Sequence, residues 1–244
     1  MLPFLLLSTR AEDVATEREY QSFLNSAGLE PEHLHRIRAE AGPLPLIDLD
    51  DYSGIMVGGS PFNSSDPEEL KSDTQRRVER EIGELLDRVV AADVPFLGAC
   101  YGVGTLGKHQ GAVIDRTFAE PISAVTITVN DAGAADPLLA GLPPSFAGFV
   151  GHKEACTILP PGAVVLASSS TCPVQMFRIR ENLYATQFHP ELDVAALLER
   201  IDIYRNAGYF PPHEADEVMD RVRTAQVDQP ARILRHFVQR YARG

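Results

Sequence analysis

The sequence has no run of lysine or arginine and no long apolar stretch. Its 34 acidic residues against 22 basic ones give a net charge of −12. Because that charge repels a polyanion, we expect no nucleic-acid partner. No stretch approaches the roughly 20 apolar residues that span a bilayer, so we expect no membrane partner. The apolar run at residues 2–7 is too short for a signal peptide and lacks its basic flank, which favours a buried strand.

Cysteine is scarce in this chain. The three cysteines, Cys100, Cys156 and Cys172, form neither a close-spaced disulfide framework nor a metal-binding pattern. A sparse and odd count is typical of a reducing compartment. A hydrophobic content of 44 % with 23 % charged residues is ordinary for a globular protein. We therefore predict a soluble, cytoplasmic protein, and its 244 residues suit a single domain over residues 1–244.

The order of apolar segments in the first half of the chain predicts an α/β fold. Short apolar runs near residues 2–7, 53–57 and 94–99 alternate with amphipathic stretches. This alternation is typical of a parallel sheet covered by helices. One helix is expected over about residues 11–27. A second is expected to start at Asp66, where proline and glutamate follow in the pattern of a capped helix.

The second half of the chain has a different pattern. Residues 122–188 read as short β segments without long helices, which predicts a small antiparallel region against the parallel sheet. Three amphipathic helical patterns follow, near residues 192–207, 213–226 and 230–242. We therefore predict a three-layer α/β/α sandwich with a mostly parallel central sheet, a small antiparallel β region and C-terminal helices. Residues 193–244 would be an extension packed on the same domain, because their apolar faces need cover.

A cysteine stands where a predicted strand meets a predicted helix. The segment Gly-Ala-Cys-Tyr-Gly around Cys100 has small residues that allow a sharp turn, which lifts the thiol above the sheet edge. The amides and the positive dipole end of the following helix would lower the thiol pKa. An inert buried cysteine is the other interpretation of Cys100 taken alone. Cys156 and Cys172 lack this setting, and we interpret them as structural.

A histidine and a glutamate, His189 and Glu191, are separated only by a proline at the end of a predicted strand. A general base must reach the thiol, and an acidic group must hold its imidazole in the right tautomer. One rigid turn at the carboxyl end of a strand can supply both groups. His189 alone is compatible with a structural role. Together with the cysteine at the turn, the pair predicts a catalytic triad.

Paired glycines, Gly58 and Gly59, end another predicted strand. They allow backbone N–H groups to turn towards a bound oxygen without a Cβ in the way. A plain tight turn is the alternative interpretation of this pair.

The three segments, in this order and spacing, resemble the class I glutamine amidotransferases, most closely the glutaminase part of GMP synthetases. The family pattern is an early Gly-Gly, a turn of the form G-x-C-x-G, and the motif Q-F-H-P-E, which stands here at residues 187–191. The resemblance covers about residues 1–192. It implies an α/β fold with Cys100 as the nucleophile, His189 as the base and Glu191 as the group that orients the base.

The same resemblance implies a reaction. The backbone N–H groups of Gly59 and Tyr101 would bind the oxyanion, with Gly58 beside them at the substrate. The thiol would attack the γ-amide of glutamine, form a thioester and release ammonia, and hydrolysis would give glutamate. This chemistry needs no metal or organic cofactor. The ammonia would pass to a separate synthetase subunit.

Two departures from the family pattern concern the substrate pocket. Gly104 stands where the family usually has a glutamine that helps to hold the substrate, and we expect it to leave space beside the thiol. Gly151 and His152 stand where synthetase relatives have a Ser-His segment. We predict that both residues line the substrate site. A satisfied surface histidine is the alternative for His152.

Two other functions stay open. A hydrolase of γ-glutamyl peptides or amides would use the same triad, and a wider pocket at Gly104 would suit its larger leaving amine. A non-enzymatic regulatory module on this scaffold is the third interpretation. Such a module would be expected to lose a member of the triad, whereas Cys100, His189 and Glu191 are all present.

Overall fold

The computed structural model describes residues 1–206 and 210–244. The strands are β1 (Phe4–Ser8), β2 (Leu34–Arg38), β3 (Gly54–Val57), β4 (Phe96–Ala99), β5 (Val113–Asp115), β6 (Glu120–Val129), β7 (Ser145–His152), β8 (Ala155–Ile158), β9 (Val164–Ser168), β10 (Met176–Ile179) and β11 (Leu183–Thr186). The α-helices are α1 (Asp13–Ala27), α2 (Asp73–Ala92), α3 (Tyr101–His109), α4 (Asp131–Ala134), α5 (Val194–Ile203), α6 (Ala215–Arg223) and α7 (Ala231–Tyr241).

Nine strands form one sheet in the order β2-β1-β3-β4-β11-β10-β9-β6-β7. The first five are parallel to one another. Antiparallel pairings join β10, β9, β6 and β7 to them. A separate antiparallel pair consists of β5 and β8. The predicted antiparallel region is thus present, but most of it extends the central sheet instead of lying against it.

The first strand shows why both faces of the sheet are covered. Phe4 and Leu6 belong to one apolar core, whereas Leu5 and Leu7 belong to another, since successive side chains of a strand point to opposite faces. Helices α1 and α7 contribute to the first core, and α2 and α3 contribute to the second. The structure therefore has the predicted three layers.

The start of α2 differs from the prediction. Asp66 precedes only a single 3-10 turn, Glu68–Leu70, after which Lys71 has extended backbone. The helix begins at Asp73, because the side chain of Ser72 accepts a hydrogen bond from the backbone N–H of Gln75. Two capping signals lie close together here, and the second one starts the helix.

The C-terminal helices follow the three predicted patterns, although residue 207 of the first pattern lies outside the described residues. Their buried apolar residues pack on the rest of the chain. Those of α7 join the core of α1 and β1, namely Ile233, Leu234, Phe237 and Val238. Those of α5 and α6 pack with β6 and β7. In the part of the chain that the structure describes, no helix is long and apolar enough to cross a membrane.

Candidate active site

The predicted site residues follow neighbouring parallel strands. β4 lies between β3 and β11, and Ala99 at its end is paired with Thr186 at the end of β11. Since parallel strands present their carboxyl ends at one sheet edge, Cys100 emerges beside the segment that leads to His189. The backbone N–H of Cys100 donates to the carbonyl of Thr186 at 2.7 Å. One sheet edge therefore brings the turn cysteine and the histidine segment together.

The turn at Cys100 is sharp and strained. Its φ of 55° is positive, which is uncommon for a residue with a side chain. Such strain costs about 1–3 kcal/mol and is found at functional sites. A Cβ on Gly98 would lie only 2.5 Å from the Cα of Gly102, so the backbone before and after the turn closes without a side chain between. This is the predicted geometry that lifts a nucleophile above the sheet.

The pair of His189 and Glu191 is formed and buried. Nδ1 of His189 lies 2.7 Å from Oε1 of Glu191, and the side chains are 7 % and 0 % exposed. Since the carboxylate accepts, Nδ1 carries the proton and Nε2 is the ring nitrogen left to take one. Burial opposes the charged form, but the contacts with His189 and Arg200 outweigh it and lower the pKa of Glu191 to about 2. Burial also lowers the pKa of His189. The pair is thus a neutral base with an ionised partner.

The thiol pKa differs from the prediction. Burial, followed by the negative charge of Glu191, raises the pKa of Cys100 to about 12. The positive charges of Arg10 and Arg200 lower the thiol pKa, but they do not offset these two effects. The thiol is therefore neutral, and a nucleophilic attack by this sulfur would need a neighbouring base to take its proton.

The candidate oxyanion donors belong to the segments that follow β3 and β4. Tyr101 is the first residue of α3, where a backbone N–H has no partner within the helix. A Cβ on Gly59 would lie 2.9 Å from Cε1 of His189 and from Nη2 of Arg10, so only glycine fits there. A Cβ on Gly58 would meet the carboxylate of Glu19 at 2.6–2.8 Å, so the backbone at Gly58 packs closely against α1.

A cluster of buried charges, which the sequence did not predict, lies beside the pair of His189 and Glu191. Arg10 follows β1 at the same sheet edge, and its Nε donates to Oε1 of Glu19 at 2.8 Å. Arg200 of α5 lies with Nη2 3.9 Å from that same oxygen and Nη1 3.4 Å from Oε1 of Glu191. The position of Arg10 directly after a buried strand was a signal that could have found it. Nothing in the sequence marked Glu19 or Arg200.

Two cavities meet at the thiol. The first is lined by His189, Arg10, Arg200 and Tyr204 with apolar residues of β6, β7 and α5. The second is lined by Tyr101, His152, Lys153, Glu154 and Gln187 with residues of the loop after β3. Cys100, Ser60 and Gly151 line both. Both cavities are small, about 30 and 20 Å³.

His152 is a wall residue whose ring is fixed on both sides. Its Nδ1 donates to the carbonyl of Glu154 at 2.9 Å, and its Nε2 lies 2.8 Å from Oε2 of Glu120. Both partners can accept a hydrogen bond from the ring. Gln175 also donates to that carboxylate oxygen at 2.7 Å. His152 is therefore buried in a network and is not a surface histidine.

The space expected beside the thiol at Gly104 is not there. A Cβ on Gly104 would lie 2.4 Å from Oγ of Ser64 and 2.7 Å from Oε1 of Glu154. The carboxylate of Glu154 accepts hydrogen bonds from the N–H and hydroxyl of Ser64 and the N–H of Ser65. Gly104 lines neither cavity at the thiol. The expectation is wrong because a loop, fixed by a carboxylate, fills the room that a missing side chain would leave.

The other two cysteines lie away from the site. Cys156 and Cys172 are fully buried and line neither cavity, and their thiols donate to nearby backbone carbonyls. Burial raises the pKa of Cys156 to about 11 and that of Cys172 to about 12. Within residues 1–206 and 210–244, no group of three His, Cys, Asp or Glu side chains is arranged to hold a metal ion.

A family comparison agrees with this geometry. The family model described as Glutamine amidotransferase class-I matches residues 32–197, which is more than half of the chain. The matched range contains the turn cysteine, the histidine and the glutamate.

Two curated relatives match to different extents. GMP synthase [glutamine-hydrolyzing] of Streptomyces avermitilis is 31 % identical over 162 residues, which are 64 % of this chain and 29 % of that protein. This chain therefore spans less than a third of that relative. Gamma-glutamyl peptidase 3 of Arabidopsis thaliana is 28 % identical over 220 residues, which are 86 % of this chain and 83 % of that protein.

A solved structure has the same fold. The crystal structure of a glutamine amidotransferase from Thermotoga maritima superposes with a TM-score of 0.77 over 99 % of this chain and 98 % of that one, at 17 % identity. The agreement confirms the predicted mostly parallel sheet flanked by helices.

Proposed function

The chain belongs to the Glutamine amidotransferase class-I family, and from this membership and the site geometry we propose that it hydrolyses the γ-amide of glutamine. Cys100 is the nucleophile, His189 the base and Glu191 the group that orients the base. One observation carries the proposal. A strained cysteine turn and a buried His–Glu pair, 89 residues apart, lie at one sheet edge on a common cavity.

The proposed reaction begins with the neutral thiol. Nε2 of His189 takes the proton while the sulfur attacks the γ-carbonyl carbon of glutamine. The N–H groups of Gly59 and Tyr101 stabilise the negative oxygen of the tetrahedral intermediate. His189 then returns the proton to the nitrogen, the C–N bond breaks, and ammonia leaves. A water molecule, deprotonated by the same base, hydrolyses the thioester to glutamate and restores the thiol.

The two cavities suggest how the substrate lies. The group that protonates the leaving nitrogen must face it, and His189 lines only the first cavity. The leaving group therefore occupies the first cavity. The γ-glutamyl group occupies the second, beside Gly151 and His152. Lys153 is then the charged group that faces its carboxylate end, and Glu154 is the one that faces its amino end.

The fate of the ammonia is a further part of the proposal. The Streptomyces relative is named as a glutamine-hydrolysing GMP synthase, and this chain matches less than a third of it. We propose that a synthetase subunit uses the ammonia, by analogy with the synthase activity in that relative's name. Three free cysteines suit a reducing compartment, and we place the reaction in the cytoplasm. We treat residues 193–244 as part of the same domain, because α5 supplies a wall of the first cavity.

A second candidate function is hydrolysis of γ-glutamyl peptides by the same triad. It is favoured by the Arabidopsis peptidase, which matches over more than four fifths of both chains. The chemistry is unchanged, and only the leaving amine differs. The wider pocket at Gly104 no longer supports this function, since Ser64 and Glu154 fill that space.

The test is an assay of free glutamate. The purified protein is incubated with glutamine and with a series of γ-glutamyl dipeptides, and kcat/KM is compared between the donors. We expect glutamate release by the native protein and by Cys156→Ala, and none above background by Cys100→Ala. A higher kcat/KM for a dipeptide would assign the second function. Release that persists in Cys100→Ala, or no release from any donor, would contradict both.

A further inference from the structure

Glu191 is placed where a carboxylate has difficulty staying ionised. Its side chain is fully buried, and in the described structure Oε2 has no hydrogen-bond partner. Both polar contacts fall on Oε1, one from Nδ1 of His189 at 2.7 Å and one from Nη1 of Arg200 at 3.4 Å. A buried carboxylate without a positive partner takes up a proton. Its neighbours must therefore keep it ionised.

Arg200 is suited to that task by its position. It belongs to α5, and its side chain is 14 % exposed. Nη1 lies 3.3 Å from Nδ1 of His189 as well as 3.4 Å from the carboxylate. Because a guanidinium only donates, it shares Oε1 with the imidazole N–H. Its positive charge favours the anion of Glu191 and disfavours a second proton on His189, and both carry lowered pKa values.

Arg200 is itself held by a carboxylate from another element. Nη2 lies 3.9 Å from Oε1 of Glu19 on α1, which Arg10 also contacts. Oε2 of Glu19 accepts a hydrogen bond from Ser8 at 2.8 Å. Positive and negative side chains thus alternate from Arg10 through Glu19 and Arg200 to Glu191. The alternation reduces the cost of burying four charges, since each charge lies next to its opposite.

We propose that Arg200 is a positioning residue, which keeps Glu191 ionised and aligned on Nδ1 of His189 and thereby sets the pH above which His189 acts as a base. This inference rests on the proposed function. The charged and titratable groups near the pair come from the turn after β4, the end of β1 and helices α1 and α5, and they are Cys100, Arg10, Glu19, Arg200 and Tyr204.

The experiment compares the pH profiles of kcat/KM for Arg200→Gln and Arg200→Lys with that of the native protein. His189 must be neutral to accept the thiol proton, so activity rises as pH rises through its pKa. Loss of the positive charge raises the pKa of His189. In Arg200→Gln the acid limb should therefore move to higher pH by about one unit, the scale of a nearby charge. Arg200→Lys keeps the charge and should keep the limb within a few tenths of a unit.

A second variant, which should shift the acid limb in the opposite direction, strengthens the test. It also covers the case in which Arg200→Gln does not fold. Glu19→Gln removes a negative charge and leaves the two arginines. The limb should then move to lower pH. Arg205→Gln is the matched control, because Arg205 pairs with Asp202 at the surface and should leave the profile unchanged. A uniform fall in kcat/KM with an unmoved limb in Arg200→Gln would overturn the proposal and leave Arg200 a structural role.

The role of Arg200 can also be tested without turnover, so that failure of the proposed function is distinguished from failure of this inference. If the native protein released no glutamate from any donor, the pH dependence of Cys100 alkylation by iodoacetamide would replace turnover, since His189 also takes the thiol proton there. The same shifts in the two variants would support the role of Arg200 without the hydrolase. Their absence would overturn it.

Discussion

The two sides of the Cys100 thiol hold their carboxylates by different means. Glu191 lies among charged groups, between the imidazole of His189 and the guanidinium of Arg200. Glu154 accepts from neutral donors, the backbone N–H groups of two serines and one hydroxyl. The first arrangement controls where protons reside. The second fixes the shape of a loop. The difference indicates that chemistry is set on the histidine side and substrate fit on the other.

The largest effect should come from Glu191→Gln. The amide keeps the size of the side chain but carries no negative charge. The tautomer of His189 with its proton on Nδ1 is then no longer favoured, and an imidazolium has no anion beside it. We expect kcat/KM to fall by about 10⁴-fold, as when the carboxylate of such a triad is neutralised. Steady-state glutamate release measures it, with exposed Glu181→Gln as the control. A fall of less than tenfold would remove Glu191 from the chemistry and weaken the contrast between the two sides.

A smaller effect should come from Gly104→Ala on the other side. The new Cβ meets Ser64 and Glu154, and crowding of a packed site costs about 1–3 kcal/mol. Chemical denaturation measures the free energy of unfolding. Gly83→Ala is the matched control, because a Cβ at this helical glycine meets nothing within 4 Å. The free energy of unfolding of Gly83→Ala should equal that of the native protein or exceed it by up to about 1 kcal/mol. Equal stability of the two variants would show that the loop at Ser64 moves to accept the new Cβ, and that Glu154 does not fix the shape of this loop.

The smallest effect should come from Glu154→Gln. The amide oxygen can still accept from Ser64, but the NH₂ group cannot accept from Ser65, so one bond of the loop is lost. A hydrogen bond to a charged group is worth about 1.5–3 kcal/mol, and part of that would appear as weaker binding. We expect KM to rise severalfold with little change in kcat, while exposed Glu69→Gln changes neither. A fall in kcat with unchanged KM would place Glu154 in the chemistry and break the comparison.

The parts of the site that the sequence predicted share a physical reason. Cys100, Gly59 and His189 each follow a short apolar run, and such runs become adjacent parallel strands. The carboxyl ends of these strands lie at one sheet edge, so their proximity can be predicted without knowledge of distant contacts. The confirmed fold follows from the same alternation of apolar runs and amphipathic helices.

The parts that the sequence did not predict depend on contacts between separate elements. Glu19 and Arg200 lie on helices, where a charged residue ordinarily faces water. Both are buried where they contact each other, and Glu19 also contacts Arg10. Gly104 gave a wrong expectation because its space is filled by Ser64 and Glu154, which are 40 and 50 residues away in the chain. Neither partner is visible in a local pattern.

The step on which the proposed function depends is formation of a covalent bond between Cys100 and the carbonyl carbon of the substrate's γ-amide. A chloroketone analogue of glutamine, followed by peptide mass mapping, tests it most directly. The account predicts one label per chain on Cys100, slowed by excess glutamine and accompanied by equal loss of glutamate release. A label on Cys156 or Cys172, or full labelling of Cys100 with glutamate release unchanged, would contradict it.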